Sequence, residues 1–162
     1  MATRFRGSNG RFLGAGQNAG GSNPSITIEI DARAALRALN DFGERSFADL
    51  METLGAVVKQ QTVTRIIAEK TSPDGVKWPP LTAATLRKKG SGKGILVDRS
   101  RLYQSIDYTA SSRDVVVGTN VHYAGFLQSG TKRMPARPFL GISEANMVDI
   151  RKAVDAWVEG AF

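Results

Sequence analysis

RDVVVGTNVHYAGFLQSGTKRMPARPFLGIS, the stretch from Arg113 to Ser143, decides how this chain folds. It opens as a strand, because Val115, Val116 and Val117 are β-branched, stiff at χ1 and suited to a pleated surface. Gly118, Thr119 and Asn120 then punctuate it as a turn. Val121 to Gln128 is apolar and aromatic with one histidine, and Ser129-Gly130-Thr131-Lys132-Arg133 is a polar basic loop. The segment from Met134 to Ile142 closes the stretch. Pro135 and Pro138 fix φ twice and bias Met134 and Arg137 away from the helical region, so this part must run extended. A strip stiffened in this way, beside a basic loop and just ahead of a helix, reads as a docking surface. The plainer alternative is a proline-shaped connection between strand and helix.

Outward from that stretch the signals are regular. Ser105 to Ala110 alternates as a strand, Ser111 to Asp114 turns, and Val115 to Gly118 returns, which is an antiparallel hairpin. Downstream, Met147, Ile150, Val154, Trp157 and Val158 recur at helical spacing, with Ser143 as N-cap and Glu144 suited to the first turn. Upstream, Ser46 to Lys70 is the longest helical pattern. Its apolar stripe of Phe47, Leu50, Met51, Leu54, Val57 and Val58 is expected to lie across a sheet and supply much of the core. Ile26 to Ile30 alternates as a further strand, and Asp31 is placed to cap a helix over Ala32 to Phe42. Between these elements, Pro73-Asp74-Gly75 is a turn and Leu81 to Lys88 a short helix. The fold class predicted is α+β: an antiparallel sheet packed against a long amphipathic helix plus a C-terminal helix.

The chain has 162 residues, enough for one sizeable core, with 41% hydrophobic and 23% charged residues. Residues 26–162 therefore read as a single domain. Residues 1–25, rich in Gly, Asn and Ser, read as a flexible basic arm that cannot offset its own ordering entropy. No apolar run approaches the length of a membrane span, and the arginine-bearing N-terminus has no apolar core of a secretory signal. With no cysteine and a single histidine, His122, thiolate sites, a cysteine nucleophile and multi-histidine zinc sites are excluded. The net charge of +7 sits mainly in two segments. Residues 1–25 hold Arg4, Arg6 and Arg11 and no acid, and Leu81 to Arg101 holds six cations against Asp98. Arg4, Arg6, Arg11, Arg87, Lys88, Lys89 and Lys93 are thus candidates for weak, non-specific contact with nucleic acid or a partner, although no recognition module is present.

Three groups of residues resemble a known family. The first is Val117-Gly118-Thr119, Tyr123-Ala124, Gln128-x-Gly130 and Met134-Pro135-Ala136-Arg137-Pro138-Phe139-Leu140-Gly141. The second is Pro73-Asp74-Gly75-x-x-Trp78-x-Pro80-Leu81 with Thr85 and Lys88, and the third is Leu96, Arg101-Leu102 and Ser105-Ile106. In this order they resemble the phage virion morphogenesis (tail completion) family over about Leu54 to Trp157. The family often has Gly where this chain has Ser100, and a His near Gln128 where this chain has Leu127. The resemblance implies a structural virion protein at the head-to-tail junction or tail end: a tail completion, tail terminator or neck protein, found in the host cytoplasm during assembly. It implies a homo-oligomeric ring, expected to be hexameric, whose partners are head-tail connector and tail tube proteins, with DNA passing through. The alternative is a basic, non-specific DNA-binding protein of phage assembly.

On that reading the subunit interface is expected at Trp78, Pro80, Leu81, Met134, Pro135, Arg137, Pro138, Phe139 and Leu140. Trp78, on a rigid segment before Pro79-Pro80, is anchored either in the core or in a groove of a neighbour. Arg137, held between prolines, pairs either with a carboxylate of another subunit or with Glu144 or Asp149 of its own chain. No catalytic, cofactor or metal residues are expected. His122 lacks a nucleophile or paired acid, Asp74, Asp98 and Asp107 lack ligand spacing, and Gly90, Gly92 and Gly94 lack the context of a phosphate loop.

Overall fold

A computed structural model describes residues 26–31, 47–90 and 93–160. The predicted arm and the helix over Ala32 to Phe42 lie outside them. Three strands, β1 (Ile26–Asp31), β2 (Ile106–Ala110) and β3 (Asp114–Thr119), form an antiparallel sheet in the order β1-β3-β2. The valine-rich strand is central because it has neighbours on both sides: Ile26 to Asp31 pair with Thr119 to Asp114, and Ile106 to Ala110 with Thr119 to Val115. The hairpin turn is fastened by Ser111, whose hydroxyl accepts from the backbone N–H groups of Arg113 and Asp114. Val115, Val117 and Thr119 face inward, while Gly118 lets β1 come close. A Cβ there would stand 2.3 Å from the Ile26 carbonyl oxygen.

Helix α1 (Phe47–Thr64) crosses the inner face of the sheet, burying Leu50, Met51, Leu54 and Val58 as the apolar stripe requires. Gly55 is part of this packing. The Tyr108 ring of β2 fills the space a side chain would take, with its Cδ2 2.3 Å from an ideal Cβ. The helix ends in a π-helical turn, Arg65–Glu69, closed by the left-handed Lys70, whose N–H donates to the Arg65 carbonyl at 2.9 Å. The widened turn sends two consecutive side chains, Arg65 and Ile66, into the interior.

The Pro73-Asp74-Gly75 turn forms as expected. Gly75 N–H donates to Ser72 O, Gly75 has φ of 84°, and Thr71 and Lys77 bridge across the loop. Helix α2 (Ala83–Lys89) follows, capped by Thr82, and it buries none of its residues. A loop then passes through left-handed Leu96 and Ser100 to α3 (Arg101–Gln104), which buries Leu102. Ser100, with φ of 63°, stands where glycine is the unstrained residue, which accounts for the family's Gly there. Val121 to Gln128 contains a helix the sequence reading left unassigned, α4 (Ala124–Ser129), terminated by Gly130 with φ of 73°. The last helix, α5 (Glu144–Glu159), packs on α1 and has the predicted Ser143 cap. Ser143 Oγ accepts from Asn146 N–H and Asn146 Oδ1 accepts from Ser143 N–H, a reciprocal capping box. Phe47 and Trp157 stack at 5.3 Å, joining the start of α1 to the end of α5.

Gly55→Ala is expected to destabilise the chain by about 1–3 kcal/mol in urea titration, because displacing the Tyr108 ring outweighs the gain of about 1 kcal/mol in helix propensity. Adding Tyr108→Ala should make the pair non-additive in the favourable direction. Conversely, Ser100→Gly should raise stability by about 0.5–1 kcal/mol, read as a higher thermal midpoint, since it relieves a left-handed serine.

Candidate functional site

Prolines leave gaps in backbone hydrogen bonding, and a buried gap is costly unless something else fills it. Pro135 and Pro138 remove two donors from the strip, and no strand pairs with what remains beyond the Thr131–Met134 bridge. Side chains from elsewhere in the chain take over the ladder's role. Gln128 Oε1 accepts from Phe139 N–H at 3.0 Å and Leu140 N–H at 3.1 Å, while its Nε2 donates to Leu140 O at 2.9 Å. Trp78 Nε1 donates to Pro138 O at 2.9 Å. Arg65 Nη1 donates to Phe139 O at 2.9 Å and Gly141 O at 2.8 Å, and its Nη2 to Asn146 Oδ1.

The strip itself repeats the device outward. Arg137 N–H donates to Leu127 O at 2.7 Å, and its guanidinium reaches Pro79 O through Nε at 3.1 Å and Nη2 at 2.9 Å, and Pro80 O at 3.2 Å. Two proline-braced segments distant in sequence, Trp78 to Pro80 and Arg137 to Gly141, are thus tied together from both sides. Both arginines are almost wholly enclosed, Arg65 at 1% and Arg137 at 5% exposure. Burial works against the charge of each and lowers its pKa; for Arg65 this is partly offset by Glu69, whose Oε2 lies 4.0 Å from Nε.

These positions correct the interface expectation. Trp78, Arg137, Phe139 and Leu140 are buried in their own chain, Phe139 completely, so their side chains are not presented to a neighbour. For Trp78 the core alternative holds. For Arg137 neither expected carboxylate is its partner, because backbone carbonyls of the Pro79-Pro80 pair occupy it. Pro80 and Pro135 are exposed, and Leu81, Met134 and Pro138 are half-buried. Phe126 on α4, at 58% exposure, immediately precedes Leu127, whose carbonyl accepts from the strip at Arg137. Arg65 was missed in the sequence. Its signal is legible: it falls on the apolar face of the Ser46 to Lys70 helical pattern, in phase with Leu54 and Val58, where a cation requires buried acceptors.

Among the other candidates, Arg87 and Lys88 are exposed on α2. Lys89 instead folds inward, its Nζ donating to Gly94 O at 2.8 Å and Val97 O at 2.9 Å, and Lys93 pairs with Asp98 at 2.9 Å. Arg4, Arg6 and Arg11 lie outside the described residues. His122 is exposed and meets Tyr123 edge-on at 5.4 Å. A shallow depression on the outer sheet face, floored by Val116 and Gly118, presents one carboxylate, Asp107, which Lys59 already holds at 3.0 Å. Among the described residues no three acids or histidines converge to hold a metal ion, and no helix is long and apolar enough to cross a membrane.

An α+β subunit whose motif residues serve one internal knot is the kind of protein built to be rigid. Residues 30–159 match the profile of the phage virion morphogenesis family, and the chain belongs to that family. A curated relative, Mu-like prophage FluMu G protein 1 of Haemophilus influenzae, is 28% identical over 108 residues, covering 64% of this chain and 73% of that protein. No solved structure matches the chain.

Gln128→Leu leaves two N–H groups and a carbonyl of the buried strip without partners. It should cost about 3 kcal/mol or more in chemical denaturation. Arg137→Lys, which cannot fork across Pro79 and Pro80, should cost about 1–2 kcal/mol by the same measurement.

Proposed function

We propose that this chain, a phage virion morphogenesis protein, is a structural subunit that closes into a ring at the head-to-tail junction or tail end. There it would complete or terminate the tail and join it to the head. The observation that carries this reading is the use made of the family's signature residues. Trp78, Gln128, Arg137, Phe139 and Leu140 hold two rigid segments together and assemble no acid–base pair or nucleophile. A structural role follows more naturally from such an arrangement than a catalytic one.

Docking within the ring then falls to the side chains the knot leaves outside, Pro80, Leu81, Met134, Pro135 and Pro138, and to the exposed Phe126. A surface fixed by prolines loses little conformational entropy on association, and an exposed aromatic is a suitable anchor for a neighbouring groove. The inward residues contribute by holding that surface in shape.

Mass photometry and negative-stain imaging of the full chain, alone and with purified tail tubes and connector, test the reading. A closed ring, formed alone or on the tail tube, is the expected result. Phe126→Glu should raise the concentration needed for assembly at least about tenfold while leaving the thermal midpoint of the free subunit unchanged. A chain that remains a single subunit with both partners present would overturn the proposal.

A further inference from the structure

From Leu81 to Arg101 the chain carries six cations and one acid, Asp98. The structure draws part of this segment together. Lys89, by donating to the Gly94 and Val97 carbonyls, draws the loop back against the C-terminal end of α2. Lys93 occupies Asp98, whose carboxyl is also near enough to Lys89 and Arg99 to be influenced by both. The single acid is therefore already neutralised. Arg87, Lys88, Arg99 and Arg101 remain exposed, and of these four Arg99 alone acts on Asp98. Helix α2 buries none of its residues, so its side chains are not committed to the core.

We propose that this face, Arg87 and Lys88 on α2 with Arg99 and Arg101 beyond the loop, binds the phosphate backbone of duplex DNA. Exposed cations near one another in the chain repel, and a polyanion relieves that repulsion while releasing its own counterions. A second copy of the chain is a poorer occupant, since it too carries a net charge of +7. The segment from Leu81 to Arg101 contains no aromatic residue and no histidine, so it offers no platform on which unpaired bases would stack. It also inserts no helix of a length suited to reading a groove. What is left is sequence-independent contact with a duplex backbone. This concerns one face of the subunit and stands or falls separately from ring formation.

Fluorescence anisotropy of a labelled duplex of mixed sequence, titrated with the full chain across a series of salt concentrations, tests it. Arg87→Ala, Lys88→Ala, Arg99→Ala and Arg101→Ala combined should weaken binding at low salt by at least about tenfold. The same variant should flatten the slope of log affinity against log salt by roughly three to four, near 0.9 for each phosphate contact removed. All four side chains are exposed, so the thermal midpoint should not move. A second variant, Arg4→Ala, Arg6→Ala and Arg11→Ala combined, should retain most of the salt slope. The proposal is overturned if the native chain does not bind the duplex, or if the quadruple variant binds within about twofold of it. It is equally overturned if the quadruple variant keeps its DNA affinity but fails to join other subunits, which would make this face a protein contact.

Discussion

A buried run of backbone without a sheet partner must find its hydrogen bonds elsewhere, and the segment from Arg137 to Gly141 finds them in side chains. Gln128 answers three backbone groups, Arg65 two and Trp78 one. The rest of the structure is arranged so that those three side chains converge. The π-helical turn at the end of α1 directs Arg65 inward, the hairpin through Pro73 to Gly75 delivers Trp78, and α4 carries Gln128. Arg65 also reaches Asn146 of the α5 cap, so the start of the last helix is fixed by the same cation.

Much of this fold was legible in the sequence because hydrophobic period carries it. The stripe on α1, the alternation through β2 and the Ser143 cap are local patterns, and they appear where expected to within a residue or two. Helix α4 was not legible, since six residues that include Gly125 and stop at Gly130 show too little of a helical period to register. The knot was legible only in part. Arg137 was recognised as a constrained cation, but its partners are carbonyls, and every residue type supplies a carbonyl, so no sequence pattern announces them. Phe139 and Leu140 illustrate a different blindness. An apolar anchor for a neighbouring subunit and an apolar residue of the core look alike until burial separates them.

The charges divide along similar lines. Two arginines are sealed inside, where their value lies in planar, multiply directed donors and where Lys would serve less well. Arg87, Lys88, Arg99 and Arg101 remain exposed on the outside. Basicity in this chain is therefore two properties, one that shapes the subunit and one that faces its surroundings. Membership of the virion morphogenesis family fits a protein in which shape comes first.

The bonds of the knot are long-range: Arg65 to Phe139 lies 74 positions apart, Trp78 to Pro138 60 and Arg137 to Pro79 58. Such bonds cannot form until the intervening chain has been made, and each closes a long loop at an entropic cost. A nascent or nicked subunit would leave the proline strip slack, and with it the outward surface that strip supports. Closure of the knot and readiness of that surface would then be the same event, which keeps a half-folded chain from presenting it.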